Sequence, residues 1–351
     1  MRKRPRLIRH SLALSGLIFL AGCGGSGEKH DEVAYSTVRD EVPTRIIVVE
    51  DDGKNARRVS GAERRANPVL PAWSPDGQKI AFVRYRPQGG PRALRTSVVN
   101  EDGTGEREIG EGTLPGWANG GSSLVVERPR AAPNQSTIYV LSGDGKTAPR
   151  KLVVGSSPAV SHNGKQVAFV RYTYKRKRGG ECCVTTKTEL FTIGVDGRGL
   201  RRISRTGREG QYTQPSWLPD DSEVAILERR GGLGGPLWTV SRAGKKRKIV
   251  NSVGETYDWS PKGDLIAYTR GGLIYIVRPD GTEVENYGQS NAIDVEWSPD
   301  GKKVAFSMQE SLENMQFVGL YLIDMEKHER RRFVIADGYA AYLDWRPDAS
   351  D

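Results

Sequence analysis

An all-β fold, a seven-bladed β-propeller, is what this sequence predicts, on three observations. First, Trp73–Gly77 reads Trp-Ser-Pro-Asp-Gly, and six further stretches repeat it in whole or part: Trp117–Gly121, Val160–Gly164, Trp217–Asp221, Trp259–Gly263, Trp297–Gly301 and Trp345–Asp348. The intervals are 44, 43, 57, 42, 38 and 48 residues, a period near forty that suits one four-stranded blade per repeat. Second, short apolar runs fill each interval, several of them joined by Asp-Gly, the dipeptide favoured in tight hairpin turns. Third, the two ends of the chain carry complementary fragments of a repeat.

The elements follow in order. Residues 1–22 read as an export signal: Arg2, Lys3, Arg4, Arg6 and Arg9 precede the apolar run Ser11–Leu20, which is too short for a stable membrane-spanning helix. The run ends Leu20-Ala21-Gly22-Cys23. This resembles a bacterial lipobox, and the resemblance implies cleavage before Cys23 and its acylation. Removing the signal takes away five of the ten net positive charges, so the overall basicity argues only weakly for nucleic acid, and no nucleic-acid partner is expected. Residues 23–31 read as a flexible tether, of which the eight residues Gly24–Asp31 would span roughly 15 Å as a coil.

The propeller should occupy 32–348. Strand A leads into each motif Trp. Strand B starts about seven residues later, as in Ile80-Ala81-Phe82-Val83 and Val167-Ala168-Phe169-Val170. Strand C precedes a turn, as Leu190–Ile193 precedes Asp196-Gly197, and strand D follows it. At the N-terminus, Glu32–Ser36, Arg45–Glu50 and Ala56–Ser60 match strands B, C and D with no strand A before them, whereas Tyr342–Trp345 is a strand A with nothing after it. Joining them makes the seventh blade and leaves no sheet edge open. Six blades with unused ends is the alternative. The repeated Trp, Pro and Asp-Gly are explained by packing and turn chemistry, and no metal or other cofactor is expected.

The repeat resembles the WD40-like, Pro-Asp type of the TolB propeller family over nearly all of 32–348. This chain departs from that pattern in lacking a preceding α/β domain, in its lipobox and in its seventh inferred blade, so membership of the Tol complex is not carried over.

In this strand order, A–B and C–D turns share one face, here called the turn face. B–C and D–A connections share the opposite, loop face. The chain enters from the turn face, which should therefore look toward the membrane. The long B–C connections, 85–94, 129–136, 172–188, 230–236 and 309–318, should decorate the loop face, where function usually resides. Arg84, Arg128, Arg171 and Arg270 recur at one position of strand B, with Arg229 one residue out of step. Together with Lys175, Arg176, Lys177 and Arg178 they suggest a basic crescent; solubilising the rim is the plainer explanation. The residue before the motif position is Ala72, Gly116, Ala159 and Ser216 in blades 1–4, then Asp258, Glu296 and Asp344 in blades 5–7. Strand A is innermost, so these carboxylates could gather at the central channel or pair with nearby cations. Cys182 and Cys183 leave a vicinal disulfide, free thiols and intermolecular pairing all open.

No Gly-x-Ser-x-Gly elbow is present, and His30, His162 and His328 fall in separate places, which argues against a nucleophilic hydrolase. The expectation is an exported, monomeric lipoprotein, held to a membrane by Cys23. It would bind an envelope protein or anionic polymer through the loop face. A carbohydrate-active enzyme using the channel carboxylates is the second reading.

Overall fold

A computed structural model describes residues 30–348, apart from 40–41, 62–66, 87–92, 130–135, 176–183, 207–209, 230–233, 255, 289–291, 313–314 and 336–338. The described residues form 28 strands in seven four-stranded antiparallel sheets, as the repeat count predicts. Six sheets are contiguous in sequence. The seventh joins β28 (Tyr339–Trp345) to β1 (Glu32–Arg39), β2 (Val42–Glu50) and β3 (Arg57–Arg58). Its inner pairing runs from Val33↔Trp345 to Val38↔Tyr339.

The hydrophobic core is divided among the seams between blades. Trp73, Ile80, Phe82 and Val99 of blade 1 pack on Ala34, Ile46 and Val48 of blade 7. Trp217, Val224, Ile226 and Val240 of blade 4 meet Ala168, Val170 and Leu190 of blade 3 in the same way. A fully buried side chain of this size contributes about 2–3 kcal/mol, so each motif Trp acts as a wedge between blades. Blade 3 has Val160 instead, and there the stacked rings of Phe169 and Phe191, 5.5 Å apart, fill the seam.

The motif turns are built alike. Ser74 Oγ accepts a hydrogen bond from the Lys79 amide at 2.9 Å, and Ser298 Oγ does so from Lys303. Gly77, Gly263 and Gly301 sit at φ of 64°, 71° and 72°, a region open to glycine without penalty. Where the motif has lost its Gly, Asp221 takes φ 57° and uses its carboxylate across the seam. It accepts from the amides of His162 (2.8 Å) and Asn163 (3.0 Å) of blade 3.

The ring is also fastened by ions at its splice. Arg346, just past β28, binds Glu32 at 2.7 Å and pairs with Glu101 of blade 1, while Arg57 binds Glu32 at 2.9 Å. Lys303 of blade 6 contacts Asp31 at 3.0 Å and also pairs with Asp51, and His30 Nδ1 lies 2.9 Å from Asp51. The last two residues of the expected tether, His30 and Asp31, are thus held against the disc. Two expected loops are also corrected. Within 172–188 the chain stays paired from Tyr172↔Thr188 to Lys175↔Val184. Within 309–318 it stays paired to Leu312↔Met315. In both, cross-strand pairing continues past the blade body as far as the described residues reach, where irregular connections were expected.

Candidate functional site: the central channel

The seven inner strands enclose a cavity of about 1010 Å³. Its shape follows from a local irregularity in strand A. Leu70, Leu114, Ser157, Gln214 and Tyr342 all stand three residues before the motif position, with φ between 52° and 59°. The pairing register slips at each of these sites. A left-handed L-residue costs on the order of 1 kcal/mol, so five copies are a substantial repeated strain. The bulges leave Leu70, Leu114, Gln214 and Tyr342 on the channel wall toward the loop face. Leu114 and Tyr342 are 40% and 44% exposed. Among the described residues of the inner strands of blades 5 and 6, no left-handed residue stands at this place.

Deeper in, the wall is chemically divided. Blades 1–4 present Pro71, Pro115, Pro158, Gly116, Ala159 and Ser216, whereas blades 5–7 present Asp258, Asp294, Glu296 and Asp344. The three carboxylates expected from the sequence are therefore brought together, and a fourth joins them. Asp294 was legible too: it lies two residues before Glu296 on one strand, and alternate strand residues share a face.

Each carboxylate also spans a seam. Asp258 Oδ2 accepts from the Trp297 amide at 2.8 Å, Asp344 Oδ2 from the Trp73 amide, and Glu296 from the Trp345 amide. Asp294 reaches the Leu343 amide at 3.4 Å and Thr256 Oγ1 at 3.5 Å. These groups line a solvent-reachable channel yet are surrounded by protein, and that desolvation dominates their chemistry. It pushes Asp258 up to about 6, against the pull of its amide donors. Burial, then repulsion from Asp258 and Asp294, lifts Asp344 to about 7. Burial and the other three carboxylates raise Glu296 well above the usual range, and burial raises Asp294. Like charges that share a low-dielectric wall cannot all ionise together, so near neutral pH the cluster retains protons.

His162 also lines the cavity at the turn-face end, its imidazole 3.1 Å from Asp221. Among the described residues, no group of three His, Cys, Asp or Glu is placed to hold a metal ion.

The expected basic crescent is largely absorbed into the blades. Arg84 is 6% exposed, pairs with Glu106 and donates to the Gly61 carbonyl at 3.4 Å. Arg128 donates to the Glu111 carbonyl at 2.9 Å and covers the Tyr139 ring at 4.0 Å. Arg171 donates to the Val154 carbonyl at 2.9 Å and lies 4.4 Å from the Phe191 ring. Arg229 donates to Thr213 Oγ1 and lines the channel, and exposed Arg270 stacks on Tyr275 at 4.3 Å. Strand-end arginines next to aromatic rings gain stacking and carbonyl hydrogen bonds; Arg128 and Arg171 thereby reach the preceding blade, while Arg229 and Arg270 contact residues of their own. The side chain of Lys175, together with Arg176, Lys177, Arg178, Cys182, Cys183 and Cys23, lies outside the described residues.

No family model matches the chain. A TolB homolog of Chlorobium luteolum is 30% identical over 125 residues, 34% of this chain and 28% of the relative. The Tol-Pal system protein TolB of Desulfosudis oleivorans is 30% identical over 127 residues, 36% of this chain and again 28% of the relative. The matched part is thus under a third of either relative's length. Among solved structures, TolB from Acinetobacter baumannii superposes with a TM-score of 0.54 at 15% identity, covering 91% of this chain and 67% of that one. An oligogalacturonate lyase in complex with manganese gives 0.59 at 12%, covering 88% and 86%. At those identities the structures speak for the fold alone. Together with the seven spliced blades, they identify the chain as a TolB-like β-propeller.

Proposed function

We propose that the protein is an exported, lipid-anchored propeller of the cell envelope that binds a protein or envelope polymer through its loop face. The observation that carries this reading is the channel mouth on that face. Leu70, Leu114 and Tyr342 form an apolar lip beside the acidic wall, a rigid site that offers both burial and charge. The TolB relatives, named as Tol-Pal system proteins, support an envelope protein partner. The anchor rests on the lipobox-like Leu20–Cys23.

Capture from solubilised envelopes with the lipidated chain as bait tests the binding role. A specific partner should be lost with Leu114→Asp and Tyr342→Ala and kept with a loop-face control such as Arg270→Gln. Equal capture by all three would count against the mouth. Labelling with a palmitate analogue tests the anchor, since incorporation should vanish in Cys23→Ser.

The second reading, a sugar-cleaving enzyme, draws on Asp258 and Asp344, raised to about 6 and about 7. A carboxyl still protonated near neutrality could serve as a general acid. Joint Asp258→Asn, Glu296→Gln and Asp344→Asn substitution separates the two: turnover should disappear for an enzyme, while capture by the apolar lip should persist.

A further inference from the structure

We infer that the turn face of blades 2–4 is a docking surface for an anionic lipid leaflet. This inference rests on the reading above that the chain is anchored from the turn-face side. The turn face is electrically lopsided. Around the splice its cations are matched: Lys303 by Asp31 and Asp51, Arg57 by Glu32, and Arg346 by Glu32 and Glu101. Across the ring, Lys151 of blade 2, Lys165, Arg198 and Arg201 of blade 3, and Lys245 of blade 4 are all exposed. None of the five makes an ion pair among the described residues. The turn acids of the sector keep their charge but are fewer than these five cations: Asp144 accepts from the Lys146 amide at 3.0 Å, Asp196 from the Arg198 amide at 2.9 Å, and Asp220 from the Ser222 amide at 3.0 Å.

A second feature separates this sector from an ordinary solvated rim. Leu200 is 48% exposed between Arg198 and Arg201. It stands on a turn whose Gly199, at φ 68°, has no other atom within 4 Å of where a Cβ would be. A large apolar side chain on a turn clear of the body, flanked by arginines, matches the needs of a headgroup boundary: charge for the phosphates and a hydrocarbon tip below them. The position fits as well. The chain enters at blade 7, and blades 3 and 4 lie diametrically opposite in a seven-membered ring. A tether alone would hold the disc by one edge. The cationic sector would draw the other edge down, laying the turn face flat and turning the channel mouth outward.

The test uses the full-length chain carrying Cys23→Ser, so no acyl chain contributes, in flotation with vesicles of phosphatidylcholine alone or with about one-third phosphatidylglycerol. Residues 11–20 can insert whatever the lipid charge and the five basic residues of 2–9 favour anionic lipid in every variant, so the readout is the change in the anionic-to-neutral binding ratio relative to the wild type. Each basic residue at an anionic leaflet strengthens adsorption about five-fold. Combined Lys151→Glu, Lys165→Glu, Arg198→Glu and Arg201→Glu should therefore lower the ratio by at least about 100-fold. The same charge change at Lys54, Lys262, Lys302 and Lys327, on the turn face outside the sector, should lower it less than about ten-fold. Leu200→Asp should lower binding to both vesicle types, and the wild-type ratio should fall as salt shortens the screening length. Equal losses in the two quadruple variants, no preference for anionic vesicles, or binding to a soluble polyanion but not to vesicles would each overturn the inference. Because acylation is absent throughout, failure here leaves the Cys23 anchor standing, whereas failure of palmitate labelling would remove the anchor without changing the vesicle ratio, so the two failures are distinguishable.

Discussion

The two arcs of the channel wall solve one problem in different ways. Every seam must tie an inner strand to its neighbour. Indoles donate to carbonyls in both arcs: Trp117 Nε1 to Ala72 at 2.9 Å, Trp217 Nε1 to Ala159 at 3.0 Å and Trp345 Nε1 to Glu296 at 3.3 Å. In blades 5–7 inner-strand carboxylates on the channel wall also reach across to backbone amides. Both satisfy a buried polar group. Only the second leaves ionisable groups facing the cavity, and their raised pKa values record its cost. The acidic arc is thus seam and potential site at once, whereas the neutral arc needs only to pack.

That contrast can be broken or sharpened by measurement, and the largest effect should come from the neutral arc. Trp217, 3% exposed within its seam, should lose about 3–5 kcal/mol on replacement by Ala, read from urea unfolding. A smaller loss would mean that the wedge is dispensable.

The acidic arc should show itself next, as a pH dependence. A carboxyl whose folded pKa is raised contributes stability that is full below its unfolded pKa and is lost as pH rises through the folded value. For Asp258 and Asp344 the window runs from about pH 4 to 7. At roughly 1.4 kcal/mol per pKa unit, the loss should be a few kcal/mol between pH 4.5 and 8. Asp258→Asn with Asp344→Asn should flatten that slope, and an unchanged slope would place the titration elsewhere.

Asp258→Ala at pH 8 removes both a strained charge and the acceptor of the Trp297 amide. The two nearly offset, and the net loss should be only about 1 kcal/mol, whereas Asp258→Asn should be neutral or stabilising. The smallest effect belongs to the bulges. Leu114→Gly relieves a left-handed φ of 52° at a half-exposed position and should change stability by less than about 1 kcal/mol, toward greater stability.

The blades were readable because their signals are local. Trp, Pro and Asp-Gly fix turns within a few residues, and the orphan strands at either end could be matched by pattern. The carboxylates before the motif position were readable because strand A is innermost. Asp294 was missed through counting only one position per repeat. The arginines were misjudged for a different reason. Whether Arg128 meets solvent or the Tyr139 ring depends on cross-strand register and on the preceding blade, neither of which spacing reveals.

The splice also imposes a temporal order. β1 precedes every other described strand and β28 follows them all, yet β28 is β1's inner neighbour. The Asp344–Trp73 contact bridges a sequence separation of 271. Until β28 arrives, the first blade to appear is the one that cannot finish, and contacts this distant form late and slowly. A chain laid out in this way stays open along its length until β28 pairs with β1, and becomes a closed disc only then.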